Sequence, residues 1–135
     1  MARYEAFEKA CKKYNCNKIA FAHHADDAIE TLFMNMMHGG RLATFEPKMN
    51  LDKSGLVFIR PLIYTFESEI QKVTNQLKLP VTKNTCPNDK HTERQRIKEM
   101  LNQMYNDTPQ AKNNFLKMIS NREQINLWVK ENIKD

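Results

Sequence analysis

The chain has few of the residues that make linkers. Only 3 of its 135 residues are Gly and 5 are Pro, too few for long flexible connections or a low-complexity tract. Its 3 cysteines, Cys11, Cys16 and Cys86, are an odd count, which argues against a disulfide-stapled secreted fold. No apolar run approaches the roughly 18 residues of a membrane span, so no membrane association is expected. Met1 leads straight into Arg3-Tyr4-Glu5, unlike the basic-then-apolar pattern of a secretory leader. A cytoplasmic location is expected.

What is present suits one globular domain, or a large piece of one: 41% of residues are hydrophobic and 27% charged. The net charge is +5. Such a surface attracts polyanions such as RNA, but an ordinary basic protein has the same balance.

Hydrophobic spacing outlines the elements. Phe7, Cys11 and Tyr14 predict an amphipathic helix over 3–14, and Lys18 to Ala22 a short buried strand. Ile29, Leu32, Phe33, Met36 and Met37 predict a helix starting near Ala25, closed by Gly39-Gly40. Residues 41–55 look irregular. Leu56 to Ile59 reads as a second strand. Thr65 fits the cap of a third helix, lined by Ile70, Val73 and Leu77. A polar loop over 81–91 surrounds Cys86-Pro87. Thr92 to Gln95 fits a capping box before a helix carrying Ile97, Met100, Leu101 and Met104. Further helices are expected around 110–119 and 122–133, the last anchored by Trp128. The alternation predicts an α/β fold with a parallel sheet and a helical C-terminal tail. We divide it at residue 82: an α/β part over 1–82, then a cysteine loop and helical tail over 83–135. Two strands are too few for a covered sheet, so more are expected from another segment or another chain.

Chemistry concentrates in His23-His24-Ala25-Asp26-Asp27-Ala28-Ile29-Glu30-Thr31, where a strand ends and a helix begins. Open α/β sheets bind ligands at that end. Asp27, Glu30 and Thr31 share one helix face. Carboxylates there suit Mg2+ held with phosphates, or proton removal. They suit equally well the capping of a helix N-terminus, with the histidines as turn residues. Zinc fits poorly, because adjacent residues cannot easily ligate one metal.

His-His-x-Asp-Asp-x-x-Glu-Thr after a strand resembles the second signature of the PP-loop ATP pyrophosphatases, a family with a Rossmann-like, adenine-nucleotide alpha-hydrolase-like sheet. Asn35-Met36-Met37-His38-Gly39-Gly40-Arg41, Pro47-Lys48 and Ile59-Arg60-Pro61-Leu62 are similar to the tRNA 2-thiocytidine synthetase branch. So is Cys86-Pro87-Asn88-Asp89-Lys90-His91-Thr92-Glu93-Arg94. The resemblance runs in order from about residue 3 to residue 105. It implies ATP, Mg2+ and an iron–sulfur cluster as cofactors of the complete enzyme. It implies tRNA and a sulfur donor protein or sulfide as partners; a homodimer is possible.

By the same resemblance, Asp27 and Arg3 are the candidate catalytic residues. His23, His24, Asp26, Asp27, Thr31 and Arg60 would form the ATP and Mg2+ site. Cys86 would ligate the cluster, against the alternative of a buried structural thiol. Arg41, Lys48, Lys90 and Arg94 would bind tRNA, against the alternative of solvated charges. The family also carries an upstream Ser-Gly-Gly-x-Asp-Ser loop and a Cys-x-x-Cys pair. Neither occurs in these 135 residues, so an incomplete enzyme, inactive alone, is expected. Alternatives are a tRNA-lysidine-synthetase-like ligase, disfavoured by Cys86-Pro87 and Gly39-Gly40-Arg41, a non-catalytic tRNA-binding module, and a structural domain.

Overall fold

The computed structural model describes residues 2–51, 54–83 and 92–128, with residues 2 and 3 described for their backbone only. The elements run α1 (Ala2–Tyr14), β1 (Lys18–Ala20), α2 (Ala25–Gly39), β2 (Lys48–Asn50), β3 (Val57–Ile59), α3 (Glu67–Gln76), α4 (Glu93–Asp107) and α5 (Ala111–Ser120). The sheet order is β1-β3-β2. β1 pairs with β3 in parallel, Ile19 opposite Phe58. β2 pairs with β3 antiparallel, Met49 opposite Phe58.

The expected α/β alternation is present, with one strand more than the sequence indicated. β2 lies in the stretch read as irregular. Three residues, Lys48-Met49-Asn50, are too few to show a period-2 pattern.

Two apolar clusters hold the fold. Phe58 is 1% exposed on the central strand and meets Tyr4, Phe7 and Phe21. This aromatic group fixes α1, whose Cys11 is also buried, on the sheet; aromatic pairs contribute about 0.5–1.5 kcal/mol each beyond area burial. The second cluster joins α2 to the C-terminal helices. Ile29, Ile97 and Leu101 are buried there, with Phe33, Tyr105, Phe115 and Leu116 packed around them. α2 thus carries the helical tail, packing on both α4 and α5.

The helix ends differ in how they are closed. Gly40 follows α2 in the left-handed region, φ 59°, and returns its N–H to the Asn35 carbonyl, the conformation glycine adopts without strain. Thr92 caps α4 by accepting from the Gln95 N–H at 3.3 Å. Thr65 is not the cap of α3: Phe66 holds that position, and the Thr65 carbonyl instead accepts the Ala25 N–H at 2.9 Å. α3 buries none of its side chains, and Val73 and Leu77 stay exposed. Of the helix expected over 122–133, Arg122–Gln124 form a 3-10 turn, and residues 129–133 lie outside the described residues. Residues 125–128 are not helical, and Trp128 is fully exposed rather than a core anchor. Ile125 and Leu127 are exposed as well, and packing supplies most helical stability.

Candidate functional site

The signature His23 to Thr31 crosses from the carboxyl end of β1 into the first turns of α2. The backbone N–H of His24 donates to Asp27 Oδ2 at 3.0 Å. The His24 ring lies between the two aspartates, Nδ1 at 3.6 Å from Asp26 and Nε2 at 3.5 Å from Asp27. Nδ1 is buried without a hydrogen-bond partner among the described residues.

Asp26 and Asp27, adjacent in sequence, turn to different tasks. Asp26 Oδ2 accepts the Glu67 N–H at 2.7 Å, closing the first turn of α3, where a carboxylate also complements the helix dipole. Its Oδ1 meets Lys112 Nζ of α5 at 3.1 Å. That ammonium lies over the Phe66 ring, 4.6 Å from its centroid. Asp26 therefore ties α2, α3 and α5 together. Asp27 faces α4 instead, its Oδ1 3.8 Å from Arg94 Nη1. Arg94 Nη2 also donates to Thr31 Oγ1 at 3.0 Å.

His23 belongs to a second group. Arg60 Nε donates to His23 Nδ1 at 3.4 Å, and Arg60 Nη1 donates to the Glu46 carbonyl at 2.7 Å. His23 stacks on Phe45, centroids 4.5 Å apart, and the guanidinium covers the same ring at 4.9 Å. Burial, and then the Arg60 charge, lower the His23 pKa. The neutral imidazole accepts at Nδ1, which leaves its Nε2 as a donor.

Between α2 and α4 opens a cleft of about 190 Å³, lined by His24, Asp27, Glu30, Glu67, Arg94 and Lys98 among others. Glu30 is 4% exposed, and burial pushes its carboxyl up to about 7, against the pull of Lys98 and Arg94. Lys98 Nζ bonds Glu67 at 2.8 Å, and that bond, foremost, raises the Lys98 pKa. The Asp27/Glu30/Thr31 face is distinct from the Ile29 stripe, as its spacing required, but α4 covers it. Sequence reasoning left Glu30 outside the expected site, took Glu67 only as a first-turn acid of α3, and left Lys112 and Phe45 unnoticed. Glu30 alone carried a signal, standing i+3 from Asp27 within the motif.

The remaining expected residues are scattered. Arg41 is exposed and donates to Asn35 Oδ1 at 2.9 Å beyond the end of α2. Lys48 is exposed on β2. The Arg3 side chain, Cys86 and Lys90 lie outside the described residues. Among the described residues, no cluster of three or more His, Cys, Asp or Glu stands close enough to hold a metal ion. A Mg2+ carried by phosphates needs only one or two protein carboxylates, and Asp27 is one of the carboxylates lining the cleft.

A family model described as a PP-loop domain matches residues 1–105. The chain belongs to the PP-loop family. Relatives named tRNA-cytidine(32) 2-sulfurtransferase include that of Idiomarina loihiensis, 41% identical over 95 residues, 70% of this chain and 32% of that one. The one from Bartonella tribocorum is 32% identical over 124 residues, 91% of this chain and 43% of that one. The one from Pelobacter propionicus is 39% identical over 108 residues, 78% of this chain and 40% of that one. The chain thus spans between about a third and under half of the length of these relatives. In structure it resembles the U34-tRNA thiolase NcsA from Methanococcus maripaludis, solved with its [4Fe-4S] cluster. The TM-score is 0.67 at 19% identity, covering 96% of this chain and 44% of that one. This PP-loop chain therefore shares the fold of that protein over 96% of its own length.

Proposed function

We propose that this chain is the signature-bearing segment of an ATP-dependent tRNA-thiolating enzyme that makes 2-thiocytidine. The observation that carries the reading is the convergence of Asp27, Thr31 and Arg94 at the carboxyl end of β1, within a segment matched by the family model. The names of the relatives supply the substrate class.

In the proposed reaction O2 of a tRNA cytidine attacks the α-phosphate of ATP, and pyrophosphate departs. A sulfur nucleophile then adds at C2, and AMP leaves with the oxygen. Asp27 would steady Mg2+-bound phosphate or take a proton. The His23 Nε2 donor, Arg60 and Thr31 would line the nucleotide side. Asp26, engaged with Glu67 and Lys112, would act on the site through position only. A cluster ligated in part by Cys86 would supply the sulfur. Exposed Arg41 and Lys48 would meet tRNA phosphates. The division at residue 82 would separate nucleotide chemistry from sulfur delivery, with Arg94 as the link between them. The sulfur donor, cytoplasmic location and a homodimer belong to the same proposal.

The test is a chimaera in which this segment replaces its counterpart in the Bartonella tribocorum relative. Digested tRNA is then analysed for 2-thiocytidine by mass spectrometry. Product formation supports the reading. A folded chimaera that makes none, beside a parent that does, removes it.

A further inference from the structure

We infer that the cleft between α2 and α4 is the pocket for the target cytosine, with the Glu30 carboxyl accepting a hydrogen bond from the exocyclic amine of the base. The inference rests on the proposed thiolation of a cytidine and adds where the base sits and what reads it.

Glu30 is 96% removed from solvent by its 4% exposure, lines the cleft and meets no hydrogen-bond donor among the described residues. Its oxygens keep access to the cleft, unlike the sealed His24 Nδ1, and a mostly buried acceptor in that position gains most from a donor on a ligand. The cations nearby are already engaged: Lys98 with Glu67, and Arg94 with Thr31 and Asp27. Glu30 is therefore the carboxyl of the cleft left without a partner among the described residues, beside the unpartnered His24 Nδ1. The charged and titratable groups facing it are Arg94, Lys98 and Tyr105 from α4, His24 just before α2, Asp26 and Asp27 from α2, and Glu67 from α3. Four of those, counting Glu30, are acids, a setting that favours a donor ligand.

The size of the cleft, about 190 Å³, suits one pyrimidine ring rather than a nucleoside triphosphate. A base presented there must leave its stack, as bases do for chemistry on their own atoms. Cytosine and uracil differ at position 4, an amine in one and a carbonyl in the other. A carboxylate accepts from the amine and repels the carbonyl. Activation at O2 also places positive charge on the ring, shared with the amine. A carboxylate on that amine is worth more in the transition state than in the ground state.

The protonation state gives the test its edge. A neutral carboxyl has both a donor and an acceptor and can turn to suit either base; the carboxylate cannot. Burial holds the Glu30 carboxyl neutral up to about pH 7. Discrimination should therefore be strongest above that pH.

The experiment is a titration of the chain itself with cytidine 5′-monophosphate and with uridine 5′-monophosphate, followed by amide chemical shifts on α2 and α4. At pH 8 we expect the cytidine nucleotide to bind at least about tenfold more tightly, one well-placed hydrogen bond being worth about that factor. At pH 5.5 the preference should narrow to under about threefold. Glu30→Gln, which can turn to suit either base, should bind both alike at both pH values. Glu30→Leu should lose the tight mode. Equal affinities at pH 8 for the unaltered chain, or an unchanged preference in Glu30→Gln, overturn the inference. Neither result touches the proposed thiolation, which the chimaera decides separately.

Discussion

Arg94 donates to the Thr31 hydroxyl at 3.0 Å across 63 residues of sequence, with its other terminal nitrogen 3.8 Å from Asp27. The residue closing the cysteine motif thus holds two residues of the nucleotide signature. As a tRNA contact it would offer the same guanidinium to phosphate. The two roles separate experimentally. In the chimaera, Arg94→Gln should lower kcat by about tenfold or more, a usual scale for misplaced site groups. The tRNA Kd should stay within about twofold, with the salt slope unchanged. A salt slope reduced by about one, with kcat intact, would make Arg94 a phosphate contact instead.

Asp27→Ala in the chimaera should lower kcat by about two orders of magnitude or more, the scale of an acid–base group. Pyrophosphate release and thiolation should fall together. Near-normal turnover would return Asp27 to helix capping alone, the role its 3.0 Å contact with the His24 N–H already gives it.

Asp26→Ala should show mainly in stability. It removes the carboxylate that caps α3 and meets Lys112, and a lost cap of this kind costs about 0.5–2 kcal/mol. Thermal unfolding of the chain measures it. Lys112→Met should produce part of the same loss, and the double variant should be less than additive, because the two share one contact. Additive losses would mean that the pair does not interact in solution.

Two groups set opposed pH responses. The Glu30 pKa rises on folding from 4.5 to about 7. The folded state thus binds the proton more tightly, and its contribution to stability is full below 4.5 and lost as pH rises through 7. The resulting penalty at pH 8 is on the order of 3 kcal/mol, at about 1.4 kcal/mol per pKa unit. Glu30→Gln should therefore raise the melting temperature at pH 8 and leave it nearly unchanged at pH 4.5. His23 runs the other way, its pKa lowered from 6.5 on folding. Its contribution is present above 6.5 and is lost as pH falls below that value. A Glu30→Gln variant no more stable than the parent at pH 8 would contradict the first shift.

For Cys86, outside the described residues, the chain alone should hold no iron–sulfur cluster after anaerobic reconstitution, since such a site needs three thiolates on the resemblance. In the chimaera, Cys86→Ser should abolish the visible absorption of the cluster while ATP binding persists. A cluster retained in that variant would exclude Cys86 as a ligand.

Local signals carried the fold a long way. Gly40 closes α2 and Thr92 caps α4 as their residue types demand, because those are backbone requirements met within a few positions. What escaped was long-range. Thr65 had the right chemistry to cap α3, yet that N–H goes to Asp26, 41 residues upstream. Likewise the sequence puts Glu30 on one face with Asp27 and Thr31, but its burial appears only once α4 is laid over that face. Trp128 shows the converse. Its helical spacing was legible, but spacing does not supply the surface on which a helix must pack.

The junction at Asp26 bears on how the molecule assembles. One carboxylate joins segments brought together only after two long loops have closed, and loop closure costs entropy before contact repays it. The pocket should therefore be among the last parts to form and the first to open. The Glu67 amide, bound to that carboxylate at 2.7 Å, should exchange with deuterium through sub-global opening, sooner than the amides of the central strand β3. Exchange as slow as that of β3 would show that the junction opens only with the whole domain.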